Sequence, residues 1–397
     1  MRISTANAYD LSIDQLSRRQ ADLSSVQEQL STTKRVNRAS DDPAAAARAE
    51  RALAAEMRVD ANQRAVDASE NAMALTEGAL GDANDILQQA RDALVKAGNA
   101  SYSDAERRGL SEELAGLRKQ LLAVSNRTDG AGTYLFAGQA GDAPPFIDAA
   151  GGVQYRGANG DVESLSGEAL PLTIDGEQAW MRARSGNGVF EAVAATSTGT
   201  AWVDSGRVTN PQLVTGSTYS IQFTVAAGVT TYSILQDGNP TAVTNAPFKP
   251  GQAVQIDGLS VNITGSPASG DNFELRPSQP DQSVFDVLDR AIGELATPMR
   301  TAGQIAQSNS SNITALDASM AQLSAARSRV GETLNRIESV TGRLDDSRLA
   351  SQTERAGAEG LDMVKAISEF QNKQTGYDAA LKSYAMVQKI SLFNYVS

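Results

Sequence analysis

The chain has 397 residues, enough for two or three domains, and it contains neither cysteine nor histidine. These absences exclude disulfides, the usual structural zinc site, a Ser–His–Asp triad and an H-E-x-x-H protease. The net charge of −12 argues against a nucleic-acid backbone or an anionic membrane surface as a partner. A pair of carboxylates, as in glycosidases, is the catalytic chemistry that remains. Because some pair is always available among 47 Asp and Glu, such a pair does not indicate an active site. We therefore predict no catalytic residue, no cofactor and no metal site.

The first 30 residues carry a narrow stripe of the kind that pairs helices. Its members recur at alternating steps of four and three, and they are Tyr9, Ile13, Leu16, Gln20, Leu23, Gln27 and Leu30. This spacing keeps one face of a helix against a partner helix along its whole length. Because glutamine at core positions specifies register and partner number, we expect this helix to pack against neighbouring subunits.

A second, alanine-rich helix follows. Its start is marked by Ser40, Asp41, Asp42 and Pro43. Proline suits the first helical turn, and the helix dipole favours aspartate there. The helix is predicted to run to about Lys96 and to end at Gly98. Ser103 and Glu106 then form a capping box that begins the next helix.

Strand patterns replace helix patterns from about Asp129 to residue 280. Apolar and polar residues alternate over residues 219–225, and the alternation recurs in Tyr232/Ile234, Val254/Ile256, Val261/Ile263 and Phe273/Leu275. This pattern predicts an antiparallel sandwich or barrel. The Asn159-Gly160 pair between 153–156 and 162–165 predicts a hairpin.

Helix patterns resume at Ser283, and Thr297-Pro298 interrupts them. A four-three stripe from Ile313 to Leu344 then predicts a helix of about 30 residues. The last helix carries a second narrow stripe, made of Met363, Ile367, Phe370, Gln374, Tyr377, Leu381, Tyr384 and Gln388. Because a lone stripe cannot offset the entropy of ordering a tail, we expect the ends to be mobile in the free chain.

The predicted fold class is α+β and multidomain. Both chain ends form a long antiparallel helical rod or coiled coil, and a central all-β domain, a sandwich or barrel, lies between them. The predicted domains are terminal helices (1–40 and 352–397, a coiled coil on assembly), a helical rod (41–140 and 281–351) and a β domain (141–280). Turn spacing permits two sub-modules in the β domain, 141–194 and 195–280.

Several blocks of the sequence match known motifs. Residues 30–43 hold the signature positions Lys34, Arg35, Asn37, Ser40, Asp41, Asp42 and Pro43. Residues 126–138 and 364–395 add two further ordered blocks, and residues 258–273 look like a β insertion of hook-associated proteins. The first block resembles flagellar axial proteins, and the second and third resemble the family of hook–filament junction proteins known as hook-associated protein 3.

The resemblance implies a structural subunit of the bacterial flagellum that forms a thin ring between the first hook-associated protein and flagellin. It also implies export through the flagellar type III apparatus without a cleaved leader, which agrees with the lack of an apolar signal core in residues 1–25. A chaperone would hold the C-terminal helix before export. Family members commonly have glycine at the position of Thr33, and a β-branched residue resists positive φ, which favours continuous helix there.

Taken together, the stripes and the resemblance predict an assembly interface. Its residues are Ile13, Leu16, Gln20, Leu23, Gln27, Leu30, Ile367, Phe370, Gln374, Tyr377, Leu381, Tyr384, Gln388, Leu392 and Phe393.

Two other functions stay open at this point. Flagellin is the nearer alternative, although Asp42-Pro43 and the ending Phe393-Asn394-Tyr395 do not resemble it. A surface adhesin is the other, with the β domain offering Trp180, Trp202 and Val203 as an apolar contact surface.

Overall fold

The computed structural model describes residues 2–99, 101–141, 143–165 and 168–396, with side chains described for 10–99, 101–141, 143–163 and 168–386. The chain divides into two compact units. The first unit is Met1–Arg64 with Val340–Ser397, and the second unit is Ala65–Ser339. The predicted boundaries near residues 40 and 352 therefore fall inside the first unit.

Helices form both flanks of the chain. Their bounds are α1 Arg2–Thr32, α2 Pro43–Ala97, α3 Asp104–Ser125, α4 Gly176–Trp180, α5 Val284–Ala296, α6 Ala302–Glu359 and α7 Met363–Val396. The capping box predicted at Ser103 and Glu106 is confirmed. The Ser103 side chain accepts from the Glu106 N–H, and the Glu106 carboxylate accepts from the Ser103 N–H at 2.6 Å, which lowers the pKa of Glu106. Ser283 caps α5 in the same position.

The expectation of continuous helix at Thr33 is wrong. α1 ends at Thr32, and Thr33 takes the left-handed conformation with φ +58°. Its hydroxyl donates to the Thr32 carbonyl at 2.6 Å, and the Thr32 hydroxyl donates to the Asn37 side-chain oxygen at 2.8 Å. These local contacts and the antiparallel bridge from Lys34 to Gly360 hold the connector at the end of α1, and the surrounding structure thereby overrides the preference of a β-branched residue.

The central strands are short and antiparallel. Their bounds are β1 Phe146–Ala149, β2 Gly152–Tyr155, β3 Glu163–Leu165, β4 Ala169–Pro171, β5 Phe190–Thr196, β6 Trp202–Val203 and β7 Arg207–Val208. They continue with β8 Tyr219–Ala226, β9 Val229–Gln236, β10 Asn239–Pro240, β11 Ala246–Pro247, β12 Ala253–Ile256, β13 Leu259–Thr264 and β14 Asn272–Pro277. The predicted class, helical ends with a central antiparallel β domain, is confirmed.

Two sheets share the main β core. One has the order β10-β9-β8-β14-β5 with β11 also on β9, and the other has β12-β13-β6 with β7 also on β13. Apolar residues at alternate positions, such as Ile221, Phe223 and Phe273, point into one core that also contains Val261 and Ile263. The predicted sub-module boundary after residue 194 falls inside β5, which pairs with β14.

The predicted Asn159-Gly160 hairpin is wrong. β2 pairs with β1, and β3 pairs with β4, so the segment between β2 and β3 joins two separate hairpins. Its backbone bonds go elsewhere: the Ala158 N–H donates to the Ala137 carbonyl at 3.1 Å, and the Gly160 N–H donates to the Asp175 carboxylate at 3.3 Å. These non-local partners remove the segment from any ladder that a local turn would close.

The apolar surface suggested for an adhesin is largely internal. Trp180 and Val203 are each 1% exposed. Trp180 lies edge-on to Phe136 with ring centroids 5.1 Å apart and stacks on Phe285 at 6.2 Å. The prediction that these two residues form a contact surface is therefore wrong, because both belong to the core of the second unit.

Candidate assembly surface

The terminal helices α1 and α7 pack against each other within the first unit and run antiparallel. An antiparallel bridge joins Lys34 to Gly360 just beyond their adjacent ends. Further along the pair, a side chain at Gly376 would meet the Arg19 guanidinium at 2.8 Å. Residue numbers therefore rise along α1 as they fall along α7, which fixes the register between the two helices.

One side of the pair faces inward. Val26 on α1 and Ala366 on α7 are each 3% exposed, and neither was singled out from the sequence. Six predicted interface residues are half-buried beside them: Leu16, Leu23, Leu30, Phe370, Tyr377 and Tyr384. α1 and α7 pack along each other, so part of each predicted stripe is covered within a single chain. The expectation of mobile ends assumed a stripe without any partner, and this packing supplies a partner in the same chain.

The remaining predicted residues form a second, exposed stripe. Steps of seven from the Lys34–Gly360 bridge put Gln27 level with Ile367, Gln20 level with Gln374, and Ile13 level with Leu381. The Arg19–Gly376 approach agrees with this register to within one residue. We call these six residues the outer stripe; all are exposed, with Ile13 at 40%, Ile367 at 45% and Leu381 at 38%.

The outer stripe is apolar at its far level and mixed or polar at the other two. Residues seven positions apart lie along one line of a helix, so heptad spacing alone places the three outer-stripe residues of each helix on the same face. A level with a glutamine on both helices, Gln20 with Gln374, lies between two levels that contain Ile or Leu. Exposed apolar side chains in heptad register are typical of a surface that packs against further helices.

Three predicted interface residues lie outside the described side chains. α7 has a helical backbone across Gln388, Leu392 and Phe393, but the structure describes side chains only to residue 386. Their part in assembly stays a prediction.

Six of the seven signature residues lie in the connector between α1 and α2, and Pro43 is the first residue of α2. The connector contacts the α6–α7 break. Lys34 Nζ is 2.8 Å from a Glu359 carboxylate oxygen. Arg35 reaches the same helix end, because its Nη2 donates to the Ala358 carbonyl at 2.9 Å and its backbone N–H donates to the Glu359 carbonyl at 2.7 Å. Sequence reasoning missed Glu359; its only signal was its place beside Gly360 at the end of a long helical stripe.

The aspartates of the signature organise the start of α2. Asp41 Oδ2 accepts from the N–H groups of Asn37 at 3.1 Å and Arg38 at 2.9 Å. Asp42 Oδ1 accepts from the Ala45 N–H at 3.0 Å, which makes Asp42 the N-cap before Pro43. That hydrogen bond, followed by one from Arg35, holds the pKa of Asp42 below its usual range.

The signature residues thus build an intrachain joint, whereas the outer stripe is the free surface of the pair; Ser40 is exposed within the connector. Two salt bridges continue from the joint along α2 and α6 in the first unit, Arg355 to Glu56 at 2.7 Å and Arg348 to Asp60 at 3.3 Å. Among the residues that the structure describes, no helix has the length and apolarity that crossing a membrane requires.

Family models match three parts of this chain. The N-terminal helical region of bacterial flagellin matches residues 3–140, and the C-terminal helical region of bacterial flagellin matches residues 313–396. The D2-like domain of flagellar hook-associated protein 1 matches residues 193–277, which hold most of the two large sheets.

Curated relatives carry a consistent description. Flagellar hook-associated protein 3 of Salmonella typhimurium is 30% identical over 174 residues, which is 44% of this chain and 54% of the relative. The chain thus spans about half the length of that relative in the match. The protein of the same description from Escherichia coli is 24% identical over 403 residues, with 99% of both chains covered.

Solved structures agree with the sequence matches. Hook-associated protein 3 of Legionella pneumophila is 25% identical with a TM-score of 0.72, over 77% of this chain and 97% of that one. FlgL of Xanthomonas campestris is 29% identical with a TM-score of 0.69, over 78% of this chain and 99% of that one. The resemblance to flagellar hook-associated protein 3 that the sequence indicated is therefore confirmed in both sequence and fold.

Proposed function

We propose that this chain is a structural subunit of the bacterial flagellum that joins hook to filament, and that its outer stripe packs against the helices of neighbouring axial subunits. The observation that carries the proposal is the division of the terminal stripes. Three residues of each stripe are half-buried, and the three residues that each helix gives to the outer stripe stay exposed in heptad register. The similar proteins of Salmonella, Escherichia coli and Legionella carry the hook-associated description.

The energetics favour burial of this stripe on assembly. Complete transfer of an Ile or Leu side chain from water into an interface contributes about 1.5–3 kcal/mol, and Ile13, Ile367 and Leu381, which are 38–45% exposed, can each gain roughly 0.6–1.4 kcal/mol of this on assembly. The glutamines add selectivity, because a buried amide needs a partner that offers both a donor and an acceptor. Such an interface binds a neighbour in the right register more tightly, because a neighbour that leaves the amide of Gln20 or Gln374 buried without a partner loses binding free energy.

The partners follow from the same proposal. They are further copies of this chain in a ring, the first hook-associated protein and flagellin. Before assembly an export chaperone would cover α7, whose apolar residues Met363 and Val364 are 41% and 81% exposed. Export would proceed without a cleaved leader to the extracellular flagellum. The proposed role is structural and needs no catalytic step.

Electron microscopy of cells that lack this protein tests the proposal. The expected result is intact hooks without attached filaments, together with flagellin released into the medium. Normal attached filaments would contradict it. Purified protein separates the flagellin alternative, since long filaments grown without any partner would favour flagellin.

A further inference from the structure

The break between α6 and α7 is short, and the last backbone carbonyls of α6 need hydrogen-bond donors from outside the helix. α6 ends at Glu359 and α7 begins at Met363, so only three residues separate two long helices. The last carbonyls of any α-helix lack partners within the helix. Here the Gly360 N–H donates to the Ala356 carbonyl at 2.7 Å, and the carbonyls of Ala358 and Glu359 are bound by Arg35 from a different part of the chain.

Arg35 is suited to this task by its shape and charge. Its guanidinium and backbone N–H together donate to two successive carbonyls, and a cation is favoured at the negative end of the helix dipole. The same guanidinium donates through Nη1 to Asp42 at 3.1 Å. A lysine offers one point of charge instead of a planar fork, so it cannot hold Ala358 and Asp42 together in this geometry.

Arg35 is itself fixed at the end of α1. Gln29 Nε2 donates to the Arg35 carbonyl at 2.9 Å. One residue therefore connects the last turn of α1, the N-cap of α2 and the C-terminal end of α6. The neighbouring Lys34 adds its ion pair to Glu359 at 2.8 Å.

We propose that Arg35 is a positioning residue that caps α6 from outside and thereby sets the level at which α7 starts along α1. The inference rests on the proposed function, because the outer-stripe residues of α1 and α7 lie level with each other only in this register. A slip of one helical turn would move α7 by about 5.4 Å along α1. Ile367 would then no longer lie level with Gln27, and the three levels of the stripe would lose their alignment.

The register can be measured directly in the full-length chain. Because the protein contains no cysteine, the double substitution Gln27→Cys with Ile367→Cys gives two unique spin-label sites at one level of the stripe. Pulsed electron paramagnetic resonance should give a narrow distance distribution in this background. Adding Arg35→Ala should shift the distance or broaden the distribution, and Arg35→Lys should restore it only in part.

Arg38→Ala is the matched control. Arg38 belongs to the same connector but pairs with exposed Glu28 at 3.5 Å, so its removal should leave the distribution unchanged. Melting of the second unit should be unaffected by Arg35→Ala; loss of that transition would overturn a local role. A narrow distribution at the original distance in Arg35→Ala, or a broad one in the starting background, would also overturn the inference.

Filament attachment in cells that carry Arg35→Ala, compared with the distance measured for the same substitution, separates this inference from the proposed function. A shifted distance with normal attachment would support the role of Arg35 and contradict the role of the outer stripe. An unchanged distance with lost attachment would contradict the role of Arg35 in setting the register, because attachment would then depend on Arg35 by a route other than the outer stripe.

Discussion

Thr33 is the residue at which local preference and tertiary structure conflict most clearly. Its φ of +58° lies in the left-handed region, which a β-branched residue enters only with strain. Such strain is of order 1–3 kcal/mol and persists only where the surroundings hold the residue in place. Around Thr33 these surroundings are the folded connector and the Lys34–Gly360 bridge.

Replacing Thr33 with glycine should therefore stabilise the first unit. We expect a gain of up to about 1 kcal/mol, since relief of strain exceeds the extra entropy of glycine in the unfolded chain. Denaturant unfolding followed by a probe in the first unit measures this. The matched control is Thr353→Gly, six residues before the end of α6, where glycine should instead destabilise by about 0.5 kcal/mol. Equal effects at both positions would contradict the assignment of strain.

Asp271 shows how one buried carboxylate organises a β-domain loop. It accepts from the Thr198 N–H at 2.7 Å, the Thr198 hydroxyl at 2.9 Å, the Gly199 N–H at 3.2 Å and the Ala268 N–H at 2.8 Å. Burial alone would raise the pKa of Asp271, but these hydrogen bonds outweigh it and lower the pKa.

The lowered pKa gives a pH dependence with a definite sign. The stabilisation from Asp271 is fully present above the unfolded pKa of about 4 and is lost as pH falls through the lower folded pKa. Asp271→Asn should destabilise the β domain by about 2 kcal/mol at pH 7 and should weaken the acid dependence of its unfolding. Asp281→Asn, at an exposed site, should change neither quantity. An unaltered acid profile in Asp271→Asn would count against this assignment.

At the scale of elements, the α1–α7 pair separates residues that stabilise the monomer from residues left for partners. Leu23 is half-buried, so Leu23→Ala should lower the stability of the first unit by about 1–2 kcal/mol. Ile367 is 45% exposed, and Ile367→Ser should change stability by less than about 0.5 kcal/mol. Hydrogen exchange along α1 would check both variants. Equal loss of protection would show that the two faces are not distinct.

That pair also shows what the sequence could and could not predict. The four-three spacing identified both terminal helices and most of their apolar positions, because helical periodicity is local information. It could not decide whether a stripe faces the same chain or another, since both partners demand the same spacing. Val26 and Ala366 escaped notice because they lie one step beside the predicted stripes, on the side that turns inward.

The β domain repeats this lesson in another form. Alternation predicted the strands around Phe223 and Phe273 because the two-residue period is also local. The Asn159-Gly160 pair predicted a hairpin that does not form, because β2 pairs with β1, the strand before it, and not with β3. The joint was recognised only as a signature, because the contacts of Arg35 with Ala358 and Glu359 span more than 320 positions in sequence.

For the whole molecule, the second unit should fold without the terminal helices. Deleting residues 1–30 and 370–397 removes most of α1 and α7, which belong to the first unit. We expect a soluble monomer whose second-unit melting transition is unchanged and which no longer assembles. Calorimetry and sedimentation would measure these two properties. Loss of the second-unit transition would show that the core of that unit depends on the tails.

The most direct test of the assembly account is complementation of cells lacking this protein with Ile13→Ser, Ile367→Ser and Leu381→Ser combined. The control carries serine at three exposed apolar positions of the β domain, Leu213, Val225 and Val229. Both proteins should be exported to similar levels. Electron microscopy should then show filaments on hooks reduced about tenfold or more for the outer-stripe variant, because burial of three large apolar side chains is lost, and normal for the control. Normal filament attachment with the outer-stripe variant would contradict the account.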